Sequence, residues 1–120
     1  MTAITAPVHA SLTPDSDNWV PFINIRGEVA GSVLWLRNTT VNGLPLQSGI
    51  WRLLPGEMPE TVPYVFPGHE TIHILEGAVT IKIDGQEPVH LEVGDSAYFE
   101  ANIVSTFTFT TPFRKLFHIS

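Results

Sequence analysis

The stretch Glu70–Phe99, ETIHILEGAVTIKIDGQEPVHLEVGDSAYF, decides the fold. Apolar and polar residues alternate strictly over 78–84, which is the period of a half-buried β-strand. Asp84-Gly85 follows, and both residues tolerate the positive φ that a tight hairpin turn requires. Alternation resumes over 89–93 before Gly94-Asp95 turns the chain again. The stretch therefore predicts antiparallel β-structure.

Strand-like sequence patterns continue on both sides of this hairpin. Short runs rich in strand-forming residues occupy 33–36 and 49–54, and inward-facing phenylalanines alternate with threonines over 105–110. Ten prolines and nine glycines divide the chain into strand-length pieces, a spacing typical of a sandwich or barrel. We expect a single all-β domain, an antiparallel barrel over residues 19–120. Residues 1–18 are predicted to form a flexible arm, or one that a partner subunit orders.

Composition limits the classes of partner. Twelve acidic residues against six basic ones give a formal net charge of −6, whereas a nucleic-acid-binding protein needs a basic face. No cysteine is present, so disulfides and thiolate metal sites are excluded. The sequence shows neither a signal-peptide pattern nor an apolar run long enough to span a membrane. We expect a cytoplasmic protein that binds neither nucleic acid nor membrane.

Two spaced motifs carry a resemblance to a known family. Glu70 is followed by six residues and then Gly77, and Gly94-Asp95 begins a second motif that runs to Phe99. Sixteen residues separate Gly77 from Gly94. Together these features resemble the two motifs of the cupin family, including their separation and the hairpin between them.

A narrower likeness covers about residues 48–119. The segments 51–56 and 112–119, together with the motif pair, look like single-domain cupins related to ureidoglycine aminohydrolase. The resemblance implies an antiparallel jelly-roll barrel with a ligand pocket at its mouth, and a homodimer. Because ureidoglycine aminohydrolase itself is built from two cupin domains, the length of this chain counts against that full activity.

The resemblance also implies a metal site, and the sequence departs from it. Metal-binding cupins use two histidines in an HxH pair, the motif glutamate and one further histidine. The HxH pair should fall within 62–66, where no histidine stands, and the later histidine position is Ser105. Only Glu70 remains of the four ligands, so we expect no cofactor. The alternative is a divalent transition metal at a non-standard site that uses Glu70 with His69 or Tyr64.

Glu70 supports two interpretations. In an apolar pocket its charge would be poorly solvated, which suits a catalytic general base near neutral pH. Otherwise it is a structural carboxylate satisfied by the backbone, by Arg52 or by Arg114. The pocket mouth is predicted between 64–70 and 98–109. The residues expected to contact a ligand there are Tyr64, Phe66, Ile72, Tyr98, Ser105, Phe107 and Phe109.

Three functions follow from these expectations. The first is a small cupin that binds a small polar metabolite in its pocket, without the three-histidine metal site. The second is an enzyme acting on a small ureido or amino-acid-like compound, with Glu70 as acid/base or as a metal carboxylate. The third is a structural or regulatory dimer with a degenerate pocket.

Overall fold

Eight antiparallel β-strands and no helix make up the residues that the computed structural model describes, which are 18–24 and 26–120. Within these residues no helix offers the length and apolarity that a membrane crossing requires. The predicted arm 1–18 lies outside the described residues apart from Asn18, so that prediction stays open. The strands are β1 Val20–Ile23, β2 Val29–Val41, β3 Leu44–Leu53, β4 Thr61–Val65, β5 Glu70–Ile83, β6 Val89–Glu92, β7 Ser96–Phe99 and β8 Val104–Ile119.

Two long strands, β5 and β8, organise the sheet. The strand order is β1-β2-β3-β8-β5-β6, with β4 paired to β8 and β7 paired to β5. The register of β5 against β8 runs from Glu70 opposite Ile119 to Ile83 opposite Ser105. Because β8 pairs with β3 and β4 as well, it contributes to several parts of the curled sheet. The prediction of an all-β, antiparallel chain is confirmed.

Two glycines with positive φ shape the chain, one at the turn after β5 and one within β5 itself. After β5 the amide of Gln86 donates to the carbonyl of Ile83 at 3.0 Å, and Gly85 has a φ of 77°. Gly77, inside β5, has a φ of 75°, and an added Cβ would lie 2.5 Å from the carbonyl oxygens of Thr110 and Pro112. No larger residue fits at 77 without moving β8.

The inward faces of β5 and β8 form most of the core. On β8 every second side chain from Ser105 to Ile119 points inward, and all of these are buried except Thr111, which is half-buried. Phe66 stacks on Phe99 with ring centroids 4.6 Å apart, and both rings are buried. The core does not fill the whole interior, however, since an open cavity lies beside it.

Candidate functional site

A cavity of about 1020 Å³ opens between β1, β2, β3, β4, β5 and β8. Its size is at the upper end of what small-molecule sites use. Most of its wall is apolar, and polar side chains such as Asn38, Gln47 and Thr61 stand among the lining residues. The aromatic residues that line it are Phe22, Trp35, Trp51, Tyr64, Phe107, Phe109 and Phe117.

Glu70 is buried in this wall at the first residue of β5. It shares the inward face with Ile72 and Ile74, and like them it is 0% exposed. A buried carboxylate is tolerated only when its oxygens are hydrogen-bonded or paired with a cation. Both oxygens have such partners here, since the Tyr64 hydroxyl donates to Oε1 at 2.5 Å and the Lys115 ammonium donates to Oε2 at 3.2 Å.

Lys115 supplies the cation from β8. Residue 115 belongs to the inward-facing set of that strand, between Phe113 and Phe117, and Lys115 is 7% exposed. Its Nζ atom also lies over three aromatic rings of the cavity region, 5.4–5.6 Å from their centroids, which belong to Trp51, Tyr64 and Phe107. Ring faces attract cations and partly replace the water that burial removes.

Tyr64 completes the polar cluster from β4. Its ring makes edge contacts with Phe66 and Phe107, with centroids 5.0 and 5.3 Å away. Burial raises the pKa of the Tyr64 hydroxyl far above its ordinary value, and the negative charge of Glu70 and the hydrogen bond to it raise the pKa further. Tyr64 is therefore a proton donor to Glu70 throughout the neutral range.

Four of the residues predicted for the site come together at the cavity, namely Tyr64, Glu70, Phe107 and Phe109. Phe66 and Ile72 are both 0% exposed and lie in the core, where they are not part of the cavity wall.

Two further predicted residues lie away from the cavity. Ser105 donates to the carbonyl of Tyr64 at 2.8 Å and lines a separate pocket of about 160 Å³ with Lys82 and Asp84. Tyr98 is 56% exposed on the outer face of β7, opposite Thr71.

The improvised pair of Glu70 and His69 does not assemble. His69 is half-exposed, and its Nδ1 atom lies 3.0 Å from Oε2 of Glu100 and accepts from the amide of Ala101 at 3.2 Å. It is the residue next to Glu70 in an extended segment, so the two side chains leave on opposite faces.

The two arginines predicted as partners of Glu70 make contacts elsewhere on the sheet. Arg52 stacks on Trp19 at 4.2 Å, and Arg114 pairs with Glu76 at 3.3 Å. Both side chains belong to the face of the sheet opposite the cavity-lining residues Trp51 and Lys115, which are their neighbours in sequence.

The donors around Glu70 do not fit the divalent metal that the cupin resemblance implies. Among the described residues, no three histidine, cysteine, aspartate or glutamate side chains lie close enough to share an ion. Both oxygens of Glu70 already accept hydrogen bonds from Tyr64 and Lys115. Besides Glu70, the groups found around Nζ are ring faces, which are not metal ligands.

Lys115 and Trp51 are among the cavity-lining residues that the sequence pattern did not identify. The signal for Lys115 was present, because it has the same odd-numbered alternation as Ser105, Phe107 and Phe109 on the strand that continues to Ile119. A lysine in an otherwise apolar, inward-facing series predicts a buried cation, and a buried cation requires an acidic partner.

Comparisons with known proteins agree with this architecture. No curated protein matches the sequence. Similar solved structures include the EutQ protein of Clostridium difficile, at 15% identity and a TM-score of 0.53, covering 88% of this chain and 96% of that one. A protein of unknown function from Acidithiobacillus ferrooxidans aligns at 19% identity and a TM-score of 0.58, covering 94% and 92%. Another, from Rhizobium leguminosarum, aligns at 19% and 0.59, covering 79% and 85%.

These structural likenesses, all below 25% identity, establish the fold alone. The family is shown by the sequence itself, since residues 45–117 match the model of the EutQ-like cupin domain. That span contains β4–β7, most of β3 and β8, and the Tyr64–Glu70–Lys115 cluster. This chain belongs to the EutQ-like cupin domain family.

Proposed function

We propose that the protein binds a small metabolite in its cavity, without a bound metal. One observation carries the proposal, which is that Glu70, Lys115 and Tyr64 converge in a largely aromatic wall. Apolar walls with a few converging polar groups are typical of small-molecule sites, where the walls provide affinity and the polar groups fix orientation.

Lys115 provides the anchor for the ligand. An ammonium group has three N–H donors, and among the described residues Nζ has one hydrogen-bond acceptor, Oε2 of Glu70. The two remaining donors can bind an oxygen atom of the ligand. Because Glu70 and Lys115 compensate each other's charge, the preferred ligand has an uncharged polar group, such as an amide, ureido or carbonyl oxygen, rather than a carboxylate.

A thermal-shift comparison of three proteins tests the proposal. Wild type, Lys115→Met and Lys82→Met are screened with a panel of small amides, ureido compounds and aldehydes. Lys82 is an exposed residue of β5 whose Nζ atom donates to the carbonyl of Gln86 at 2.7 Å. Its variant is therefore the matched control for loss of one positive charge.

We expect at least one compound to raise Tm in wild type and in Lys82→Met but not in Lys115→Met. At a free concentration one hundred times Kd, binding adds about 2.7 kcal/mol to the free energy of unfolding. A compound that stabilises Lys115→Met as much as wild type would show that Lys115 does not contribute to ligand binding. If no compound raises Tm in any of the three proteins, the result favours the alternative of a structural dimer with a degenerate pocket over ligand binding.

An enzymatic role is the second candidate, and the position of Glu70 supports it. A buried carboxylate 3.2 Å from an amine and within the wall of a cavity is placed to accept and return a proton. The predicted substrate is a ureido or amino-acid-like compound, as for the ureidoglycine aminohydrolase-type cupins that the sequence resembles. Release of ammonia from ureido compounds by wild type, and its loss in Glu70→Gln, would support this role.

The quaternary structure and location remain predictions of the sequence. We propose a homodimer, in keeping with the cupin resemblance, acting in the cytoplasm. Light scattering coupled to size-exclusion chromatography tests the first point, since a dimer would double the 13.2 kDa mass of the chain.

A further inference from the structure

The polar end of the cavity contains an amine beside a base. Nζ of Lys115 lies 3.2 Å from Oε2 of Glu70, and both residues line the cavity. Lysine amines act as nucleophiles toward carbonyl carbons when a neighbouring group accepts their proton or when burial disfavours their charged form. Lys115 meets the first condition, because its Nζ atom lies 3.2 Å from a carboxylate oxygen that can accept its proton, and both side chains are buried.

We propose that Lys115 captures a small aldehyde or ketone as a reversible imine, an inference that rests on the proposed ligand site. Glu70 first accepts a proton from the ammonium, which leaves a neutral amine. The nitrogen lone pair then forms a bond to the carbonyl carbon while the C=O π bond breaks onto oxygen, and one proton moves from the nitrogen to that oxygen to give a neutral carbinolamine.

The second half of the reaction removes water. The Glu70 carboxylic acid returns its proton to the carbinolamine hydroxyl, the C–O bond breaks, and the nitrogen lone pair forms the C=N bond. The balance is one ammonium and one carbonyl giving one iminium ion and one water, with no change in charge and no oxidant or reductant. Tyr64, which donates to the other oxygen of Glu70, holds the carboxylate in place during both transfers.

The surroundings favour an uncharged carbonyl compound. The charges of Lys115 and Glu70 compensate each other, so a charged ligand would enter a largely apolar cavity without a free counter-ion at this point. Trp51 and Phe107, which face Nζ, offer flat apolar surfaces to the rest of the ligand. The class is therefore an aldehyde or ketone with an apolar body.

The composition of the chain makes the test direct, because Lys82 and Lys115 are the two lysines of the sequence. Wild type is incubated at neutral pH with benzaldehyde and sodium cyanoborohydride, which reduces an imine to a stable secondary amine. Labelled peptides are quantified by mass spectrometry, where each adduct adds the mass of the aldehyde less one oxygen. Lys82, exposed on β5, is the internal reference.

We expect labelling of Lys115 to exceed that of Lys82 by about tenfold or more, a threshold set below the roughly hundredfold or larger effect that a positioned acid–base group typically supplies. In denaturant the ratio should fall to about one, because both lysines are then solvated alike. Glu70→Gln should lower labelling at residue 115 and leave Lys82 unchanged. Lys115→Arg keeps the cation but has no primary amine, so no adduct should form at that position.

Binding of benzamide distinguishes a failure of imine formation from a failure of the proposed ligand site. It has the shape of benzaldehyde but forms no imine, and its binding is measured by saturation-transfer NMR. If benzamide binds wild type while benzaldehyde labels Lys115 no faster than Lys82, the imine is refuted and the ligand site stands. If benzamide does not bind and Lys115 is not labelled preferentially, both fail for this class of compound. The ratio in wild type needs no variant, so poor folding of Glu70→Gln does not weaken the test.

Discussion

Two regions of the interior are both largely buried and differ in chemistry. The sealed core, defined here as Phe66, Ile72, Ile81, Leu91 and Phe99, consists of apolar side chains that do not line the cavity. The cavity wall, defined as Tyr64, Glu70, Phe107 and Lys115, adds two opposite charges and a hydroxyl. Burial alone therefore does not distinguish a packing position from a site position.

The difference arises within a single strand face. Glu70 and Ile72 are two residues apart on β5, point to the same side and are each 0% exposed. Ile72 packs against apolar neighbours, whereas Glu70 meets donors from β4 and β8. Three strands must thus be in register for the cluster to exist, because each contributes one of its members.

The largest expected effect is in the sealed core. Phe66→Ala removes a ring that stacks on Phe99 and touches Tyr64 and Phe107. We expect a loss of about 3–5 kcal/mol in the free energy of unfolding, from lost transfer energy and the new void. Urea unfolding monitored by tryptophan fluorescence measures it.

The matched change in the cavity region is Met58→Ala. Met58 lines the cavity and is only partly buried, so truncation enlarges an existing opening and should cost about 1 kcal/mol or less. Equal losses in the two variants would contradict the distinction between sealed core and cavity region.

The second expected effect lies in the cavity wall. Lys115→Met keeps the length of the side chain but leaves the Glu70 carboxylate without its cation. We expect a loss of about 3 kcal/mol, at the low end for breaking a buried pair because the cavity admits water. The double variant Glu70→Met with Lys115→Met should regain most of that loss, since no charge then stays buried.

A double-mutant cycle in urea gives the coupling free energy between the two residues. Additive losses from Glu70→Met and Lys115→Met would show that the charges do not stabilise each other. That result would also weaken Lys115 as a positioned amine.

Much of the fold was predictable because it follows from local patterns. The alternation over 78–84 and the Asp84-Gly85 turn specify the β5–β6 hairpin without help from the rest of the chain. Gly77 and Gly94 lie where the chain needs positive φ, with values of 75° and 96°. The cupin family followed from the same features, and the match over residues 45–117 confirms it. The narrower likeness to ureidoglycine aminohydrolase-type cupins stays a prediction.

The site was harder to predict because its members are distant in sequence. Glu70 and Tyr64 were identified, but Arg52 and Arg114 were considered as its cations when Lys115 has that role. Residues 114 and 115 face opposite sides of β8, so a one-residue error in assigning the inward face selects the wrong cation. Following the alternation from Phe107 through to Ile119 would have resolved the choice.

The smallest effect appears only at high pH. It distinguishes Tyr64 in the cavity wall from Tyr98 on the surface by the pH at which each hydroxyl ionises. The pKa of Tyr64 is raised by burial and by Glu70, so the folded protein keeps a proton that the unfolded chain loses near pH 10. The free energy of unfolding is therefore unaffected below that pH and falls above it, by up to about 1.4 kcal/mol per pH unit. Absorbance at 295 nm should show one tyrosine, Tyr98, ionising before unfolding and the second only with it. In Tyr64→Phe the late step should vanish, whereas two tyrosines ionising together in the folded wild type would place Tyr64 in contact with solvent.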